Sequence, residues 1–353
     1  MSELSRVREV PALDLGRGVV FDPPFVLAPM EGVTHRVFRD LILDLGGAGA
    51  AWTEFLRVSQ QALRPKHVRR DLGPPRPDVP VGVQLMGTQP ELVAQSAQAA
   101  VRVGAPTVDL NFGCPAPRVF NKCAGSGMLR DPAQVAAMIR ATVEAVEVPV
   151  TAKIRLGIED TAGLDELIAA VNAAGPAALT VHARTVRDGY KHPARWDQLA
   201  RVRALTALPL IGNGDVTCPA DAERMLEETG VDGIMIGRGM LRDPWLLARL
   251  AAARAGAPEP QVDPAALWRF HRRYRDDMLR ARGNERSVLG QLKQLYRRLD
   301  VGIAISDALR TRLLRSATIE ELEALAFGAL SPAATGAHEG PSQRDEPLDA
   351  ARG

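Results

Sequence analysis

The sequence predicts an α/β protein: a (β/α)8 TIM barrel followed by a smaller C-terminal helical domain. Three observations lead to this prediction. The chain has 353 residues, 46% of them hydrophobic, whereas a barrel of this kind needs about 250 residues. Eight short apolar or β-branched runs recur within about 230 residues, with helix-like stretches between most of them. Beyond about residue 260 the apolar positions follow a purely helical period.

The eight runs are the predicted barrel strands. Strands that alternate with helices are typical of parallel βαβ units, and eight such units favour a closed barrel over an open sheet. In chain order the predicted strands are Phe25–Ala28, Ala51–Glu54, Val81–Leu85, Thr107–Leu110, Val150–Ile154, Leu179–His182, Leu208–Gly212 and Gly233–Ile236.

The remaining segments complete the predicted organisation. Residues 1–20 form an N-terminal extension and residues 21–255 the barrel. Pro258 and Pro260 indicate a linker, and Asp263 precedes Pro264 as a helix cap would. Residues 263–330 are then a helical domain, and residues 331–353, rich in Pro, Gly, Ala and charge, are expected to be a disordered tail.

Composition excludes several classes of protein. The first ten residues are charged and lack an apolar core, so we expect no secretory signal, and no uncharged apolar run reaches the roughly 18 residues of a membrane span. Three cysteines without a CxxC pair indicate neither a disulfide framework nor a zinc site. We therefore expect a cytoplasmic protein without a metal; nothing in the sequence indicates its oligomeric state.

The basic residues are unevenly distributed. The net charge is only +2, yet residues 264–316 hold 13 Arg and Lys against 5 Asp and Glu. A local basic segment on a nearly neutral protein fits a surface that binds a polyanion, although a solvated helical face would give the same charge pattern.

Polar side chains follow most of the predicted strands, at the end where a barrel carries its active site. Their common position at one rim favours a functional site over scattered structural polar groups. These rim residues are Met30, Glu31, Glu54, Gln84, Asn111, Cys114, Lys153, Arg155, His182, Arg184, Asn213 and Asp215.

Several of these residues suggest particular chemistry. After the last two strands, IGNGDV and MIGRGM bring glycine backbone and Arg238 to where barrels often bind a phosphate, either of a cofactor or of a substrate. Lys153 could form a Schiff base or stabilise negative charge, and His182 is either a donor or a structural residue. Cys114 lies in a loop between Gly113 and Pro115, as a nucleophile or an acid would.

The motifs resemble those of the tRNA-dihydrouridine synthases. The segment VDLNFGCPAPRVFNKCAGS is similar to the family signature, and six further blocks occur in family order over about residues 25–250. They are LAPMEGVTHRVFR, VQLMG, TAKIRLG, LTVHARTVRDGY, IGNGDV and MIGRGML. Residues to about 330 match more loosely.

The resemblance implies a cofactor, a substrate and a role for each site residue. FMN, reduced by NADPH, would provide a hydride for C6 of a uracil in tRNA, and Cys114 would give a proton to C5. Asn111, Arg155 and Arg184 would bind substrate, and the helical domain would hold tRNA. The residues implied to bind FMN are Pro29, Met30, Glu31, Gln84, Lys153, His182, Asn213, Gly214, Asp215, Gly237 and Arg238.

Three alternatives share parts of this pattern. An FMN barrel oxidoreductase acting on a small molecule would keep the phosphate loops but leave the basic segment without a purpose. A Schiff-base lyase would use Lys153 without a flavin, and a non-catalytic RNA-binding protein would not need Cys114. None of the three accounts for the seven motifs in family order.

Overall fold

The computed structural model describes residues 4–120, 123–302 and 305–330. The predicted tail, residues 331–353, lies outside them. Within the described ranges, every helix is too short or too polar to traverse a lipid bilayer.

Eleven strands are assigned within those ranges. They are β1 (Leu13–Asp14), β2 (Val20–Phe21), β3 (Phe25–Leu27), β4 (Ala50–Trp52), β5 (Leu56–Arg57), β6 (Val81–Met86), β7 (Val108–Phe112), β8 (Val150–Arg155), β9 (Ala178–His182), β10 (Leu210–Asn213) and β11 (Gly233–Ile236).

Fifteen α-helices and the 3-10 helix Gly125–Arg130 account for most of the other described residues. The α-helices are α1 (Ser5–Glu9), α2 (Arg36–Asp44), α3 (Pro65–Leu72), α4 (Pro90–Arg102), α5 (Pro117–Phe120), α6 (Pro132–Ala145), α7 (Leu164–Ala174), α8 (Trp196–Leu205), α9 (Pro219–Thr229), α10 (Gly239–Arg242), α11 (Leu246–Arg254), α12 (Pro264–Arg282), α13 (Glu285–Tyr296), α14 (Asp307–Arg315) and α15 (Ile319–Leu330).

Eight parallel strands close into a barrel, which confirms the predicted fold class. The order is β3-β4-β6-β7-β8-β9-β10-β11, and β11 pairs with β3 to complete the ring. All eight correspond to predicted strands, with ends that differ by no more than two residues. The strands are buried on both faces, which explains why they stand out in the sequence as short apolar runs.

The N-terminal residues form a small hairpin that the sequence did not indicate. Strands β1 and β2 pair antiparallel, and Phe21 packs edge-on against Trp52 at 5.6 Å between ring centroids. Phe21, Trp52, Val26 and Met235 belong to one buried apolar cluster. The hairpin therefore packs against side chains from inside the barrel.

The C-terminal helices pack against the first βα unit. Asp263 caps α12, as its sequence position predicts, by accepting from the N–H of Ala266 at 2.6 Å. Tyr274 of α12 lies 3.2 Å from His35 Nε2, and Gln291 of α13 donates to the carbonyl of Gly32 at 3.3 Å. These contacts place α13 beside the loop that follows β3.

Candidate active site

One cavity of about 1000 Å³ opens at the carboxyl ends of the barrel strands. Loops after six of the strands and the C-terminal part of the α13 region contribute to its wall. Fourteen of the residues predicted for the site line this cavity: Pro29, Met30, Glu31, Asn111, Cys114, Lys153, Arg155, His182, Arg184, Asn213, Gly214, Asp215, Gly237 and Arg238. Strand ends and the family motifs together thus predicted which residues line the cavity at the barrel rim.

Two residues predicted at the rim, Glu54 and Gln84, do not line the cavity; Glu54 Oε1 instead accepts from the N–H of Val33 at 3.2 Å. Gln84 lies deeper. It is completely buried inside the barrel, where its amide donates to Asp109 Oδ2 at 2.6 Å and accepts from Asn111 Nδ2 at 2.8 Å. Strand β6 continues to Met86, so Gln84 faces inward one layer below the strand end. Contact between Gln84 and the cofactor stays a prediction.

The loop that carries Cys114 is held from two sides. Asn111 Oδ1 accepts from the backbone N–H groups of Gly113, at 2.9 Å, and Cys114, at 3.0 Å. Ser126 Oγ donates to the carbonyl of Cys114 at 2.8 Å, and Arg155 Nε donates to that of Gly113 at 2.8 Å. The backbone of Cys114 is therefore bonded at both its N–H and its carbonyl.

The Cys114 thiol is suited to hold a proton at neutral pH. The residue is partly buried, and this burial raises the pKa of the thiol above its ordinary value; the backbone of Ala116 and the charge of Arg155 oppose the shift. The other two cysteines, Cys123 and Cys218, are exposed. A protonated thiol in a cavity wall can act as a general acid.

Lys153 is buried in the cavity wall. Its Nζ donates to Asn213 Oδ1 at 3.2 Å, and Asn213 Nδ2 donates in turn to the carbonyl of Met235 at 2.7 Å. Burial lowers the pKa of Lys153 to about 8; the charge of Arg155 adds to the shift and that of Asp109 opposes it. The ammonium group is therefore still charged at neutral pH but loses its charge just above it.

His182 is held in its neutral form. Burial lowers the pKa of its imidazole well below the ordinary value, and the charges of Lys153 and Arg155 lower it further. Arg184 Nη1 lies 3.3 Å from His182 Nε2. Because a guanidinium only donates, Nε2 must accept, which leaves the proton of the neutral ring on Nδ1.

Two arginines share one carboxylate at the loops after β10 and β11. Asp215 pairs with Arg184 and, at 3.2 Å, with Arg238. Burial alone would raise the pKa of Asp215, but hydrogen bonds from Arg184 and the N–H of Ala194 hold it below its usual value. Two guanidinium groups against one carboxylate leave a net positive charge, which suits an anion.

The loop after β10 requires glycine at position 214, next to Asp215. Gly214 has a φ of +137°, and a Cβ there would lie 2.8 Å from the Cβ of Ala194. At Gly237 a Cβ would lie 3.3 Å from Met30 Sδ, so the missing side chain leaves the backbone open toward the cavity.

Sequence reasoning missed an exposed aromatic residue at the cavity mouth. Tyr190 is 55% exposed and lines the cavity, with its ring centroid 4.4 Å from Arg238 Cζ and 5.5 Å from Arg155 Cζ. Its ring lies 6.0 Å from that of His182. Tyr190 ends one of the recognised motifs, but only the folded loop places it above the strand ends.

The C-terminal helical region also reaches this cavity. Gln294, Arg297 and Arg298 line it together with Arg242. The charge count of the sequence identified the segment but not these residues. Among the residues that the structure describes, no group of three His, Cys, Asp or Glu side chains could hold a metal ion.

The chain matches a known protein family over most of its length. The family profile described as "Dihydrouridine synthase (Dus)" matches residues 26–325. A relative from Aquipseudomonas alcaligenes, named tRNA-dihydrouridine(16) synthase, is 39% identical over 250 residues, which is 68% of this chain and 79% of that protein.

Two further relatives and one solved structure give a consistent result. The tRNA-dihydrouridine(16) synthase of Shewanella oneidensis is 41% identical over 62% of this chain and 72% of that protein. The tRNA-dihydrouridine synthase B of Pseudomonas aeruginosa is 38% identical over 69% of this chain and 75% of that protein. The structure of histamine dehydrogenase from Rhizobium sp. 4-9 superimposes with a TM-score of 0.57 at 15% identity; it shares the fold, and this chain spans 49% of it.

Proposed function

Because this chain belongs to the dihydrouridine synthase family, whose members are flavin-dependent oxidoreductases, we propose that it reduces the C5=C6 bond of a D-loop uridine in tRNA. The electrons come from NADPH and the resident cofactor is FMN. The observation that carries the proposal is Cys114, a thiol with a raised pKa on a loop held by hydrogen bonds in the wall of the cavity at the barrel rim.

The cavity fits FMN in size and in the nature of its wall. Its volume of about 1000 Å³ lies at the upper end of the range for small-molecule sites, which leaves room for a base beside a flavin ring. Lys153, His182 and Arg238 line its wall, together with the backbone of Gly214 and Gly237. We assign Arg238 and the two glycines to the phosphate, because they offer positive charge and open backbone.

Other residues complete the proposed cofactor site. Pro29, Met30, Glu31, Asn213 and Asp215 also line the cavity, and Asp215 orients Arg184 and Arg238 toward it. Lys153 supplies a buried positive charge that would stabilise negative charge on the ring, without any need for a Schiff base. His182 offers its Nδ1–H as a donor.

Bound FMN would supply the hydride that adds to C6 of the uracil. The addition builds negative charge at C5 and at the C4 carbonyl, so that an acid beside C5 speeds the reaction. Cys114 provides it: the S–H bond breaks, a C5–H bond forms, and the electron pair stays on sulfur. The charge of Arg155 favours the resulting thiolate, which then regains a proton from solvent.

The base must leave the folded tRNA to reach this cavity, as in other enzymes that act on bases. Arg297 and Arg298 line the cavity from the helical side, within a segment of 13 basic and 5 acidic residues. Phosphate contacts there would hold the tRNA across the barrel mouth. Asn111, Arg155, Arg184 and Tyr190 are the proposed neighbours of the base.

The experiment that tests the proposed function is reduction of unmodified tRNA by the purified protein with FMN and NADPH. Dihydrouridine is then mapped position by position; the names of two relatives make position 16 the first to inspect. We expect one D-loop uridine to be converted. If the cofactor is reduced but no uridine is converted in any tRNA, the proposed substrate is wrong.

A further inference from the structure

We propose that Asp109 is a positioning residue, which acts through Gln84 and Asn111 to fix the loop that presents Cys114. The inference rests on the proposed function, since it concerns the delivery of the Cys114 proton. It assigns a role to a completely buried carboxylate that does not line the cavity.

Asp109 lies on β7 inside the barrel and is completely buried. Oδ1 accepts from the hydroxyl of Thr151 at 2.6 Å, and Oδ2 accepts from Gln84 Nε2 at 2.6 Å. An ionised carboxylate can only accept hydrogen bonds, and hydrogen bonds to a charged group are about twice as strong as neutral ones. Asp109 therefore determines which end of the Gln84 amide faces it.

The orientation of the Gln84 amide in turn determines that of the Asn111 amide. With Nε2 turned toward Asp109, Gln84 presents Oε1 to Asn111 and accepts from its Nδ2 at 2.8 Å. Gln84 is completely buried, so the amide cannot exchange these partners for bulk water. A reversed Gln84 would place an oxygen against the carboxylate and an NH2 group against an NH2 group.

The orientation of Asn111 in turn sets that of the catalytic loop. Because Nδ2 is directed at Gln84, Oδ1 faces the N–H groups of Gly113 and Cys114 at 2.9 and 3.0 Å. A reversed Asn111 would bring donors against both N–H groups and release the loop on that side. Two amides thus connect an acceptor-only group in the barrel interior to the backbone of Cys114.

Two substitutions at position 109 separate this role from general stability. Leucine has a similar size and no acceptor, so Asp109→Leu leaves Gln84 free to reverse. Asparagine can still accept from Gln84 with Oδ1 while its Nδ2 donates to the Thr151 hydroxyl, which is able to accept. Asp109→Asn therefore keeps the orientation of both amides, and Thr151→Val is a matched control that leaves the Gln84 bond in place.

Kinetics provide the first test. For Asp109→Leu we expect kcat for uridine reduction to fall by roughly tenfold or more, part of the ~10²–10⁴ that a positioned acid contributes. The KM for tRNA and the rate at which NADPH bleaches the bound cofactor should stay within about threefold of wild type, as should every value for Asp109→Asn and Thr151→Val. If Asp109→Leu keeps the wild-type kcat, or if the Leu and Asn variants lose it equally, the inference is wrong.

The second test needs neither cofactor nor tRNA. Alkylation by iodoacetamide is followed by mass spectrometry, peptide by peptide, with exposed Cys218 as the internal control. We expect the Cys114 rate to change severalfold in Asp109→Leu and in Gln84→Met, which also breaks the connection, but not in Asp109→Asn. The Gln84 variant serves if the leucine variant does not fold.

The two tests separate failure of the inference from failure of the proposed function. A wild-type protein that forms no dihydrouridine overturns the proposed function, whereas the alkylation rates still judge whether Asp109 controls the loop. Unchanged Cys114 alkylation in both Asp109→Leu and Gln84→Met overturns the inference even if uridine is reduced.

Discussion

At the barrel mouth, single arginines determine where an anion is attracted. Arg184 is almost completely buried and paired with Asp215, whereas Arg238 is 30% exposed and shares the same carboxylate. Arg238 thus has donors left for a ligand, while Arg184 is committed to Asp215 and His182. This difference favours Arg238 over Arg184 as the proposed ligand of the FMN phosphate.

Removal of Arg238 should weaken phosphate binding selectively. For Arg238→Ala we expect FMN affinity to fall by about tenfold, the lower part of the range for a charged hydrogen bond, because the side chain is partly exposed. Affinity for riboflavin, which has no phosphate, should be unchanged; titration of the apoprotein by fluorescence measures both. An equal loss for the two ligands would contradict the assignment.

Asp109 should make stability depend on pH in an identifiable way. Burial raises its pKa from an ordinary 3.8 to about 6, so its carboxyl takes up a proton at higher pH in the folded state than in the unfolded state. Its contribution to stability therefore increases as pH falls from about 6 toward 4 and is lost as pH rises through 6. Asparagine has no such dependence.

We accordingly expect the Tm of Asp109→Asn, relative to wild type, to be higher at pH 7.5 than at pH 5. Thermal melts at several pH values measure the difference. Asp215→Asn is the control: its pKa is lowered, so that its charge is the same in both states over this range and the difference in Tm should be constant. A constant difference for Asp109→Asn as well would show that its carboxyl titrates normally.

Site residues were predictable to different degrees. Cys114 could be placed because a Gly-Cys-Pro sequence after a strand must lie in a loop at the rim. The complete burial of Gln84 could not be predicted, because the last residue of β6, and hence the layer of each inward side chain, depends on how the barrel closes. The bonds of Asn111 to the Cys114 loop join residues that only the folded loop brings together.

At the scale of elements, the barrel strands were predictable and the shortest strands were not. A strand buried on both faces leaves a run of apolar residues bounded by turns, as in β8. The two-residue strands β1, β2 and β5 are too short to show any period, and they form because a neighbouring strand offers free backbone groups. Helix starts were clear where a capping side chain was present, as at Asp263.

We expect tRNA to bind at the C-terminal end of α13, where Arg297 and Arg298 follow the helix. Arg297 and Arg298 line the cavity and face it from the helical side. For the double variant Arg297→Ala and Arg298→Ala, we expect the KM for tRNA to rise. The slope of log KM against log salt concentration should become shallower by about the amount that two phosphate contacts contribute. Reduction of the cofactor by NADPH should be unaffected.

Steady-state assays at several salt concentrations measure both effects. Arg140, exposed on the outer helix α6 and remote from the cavity lining, provides the matched control, and Arg140→Ala should leave the KM for tRNA unchanged. If the double variant has the salt dependence of wild type, the tRNA phosphates do not lie along α13.

At the scale of the whole molecule, the proposed function divides the work between the barrel, which would carry out the reaction, and the helical region, which would hold the tRNA. Residues 264–316 carry an excess of eight positive charges, and the rest of the chain sums to −6. The helical region joins the barrel beside the loop after β3, through Tyr274 with His35 and Gln291 with Gly32. We expect a polyanion attracted to the basic helices to lie close to the open end of the barrel.

The position of the uridine that is reduced should also be determined by the molecule as a whole. It depends on how the tRNA lies across both parts of the molecule, and no single motif in the sequence encodes that orientation. Substitutions on the helical surface should therefore change which position is modified more readily than substitutions in the barrel.

Proton donation by Cys114 is the central step of the proposed reaction, and a comparison of two rates in Cys114→Ala tests it most directly. NADPH should bleach the bound cofactor in this variant about as fast as in wild type, while dihydrouridine formation in tRNA should fall by roughly 10²–10⁴. Cys218→Ala, at an exposed cysteine outside the cavity wall, should match wild type in both rates. Dihydrouridine formation at the wild-type rate by Cys114→Ala would show that another group delivers the proton and would contradict the account.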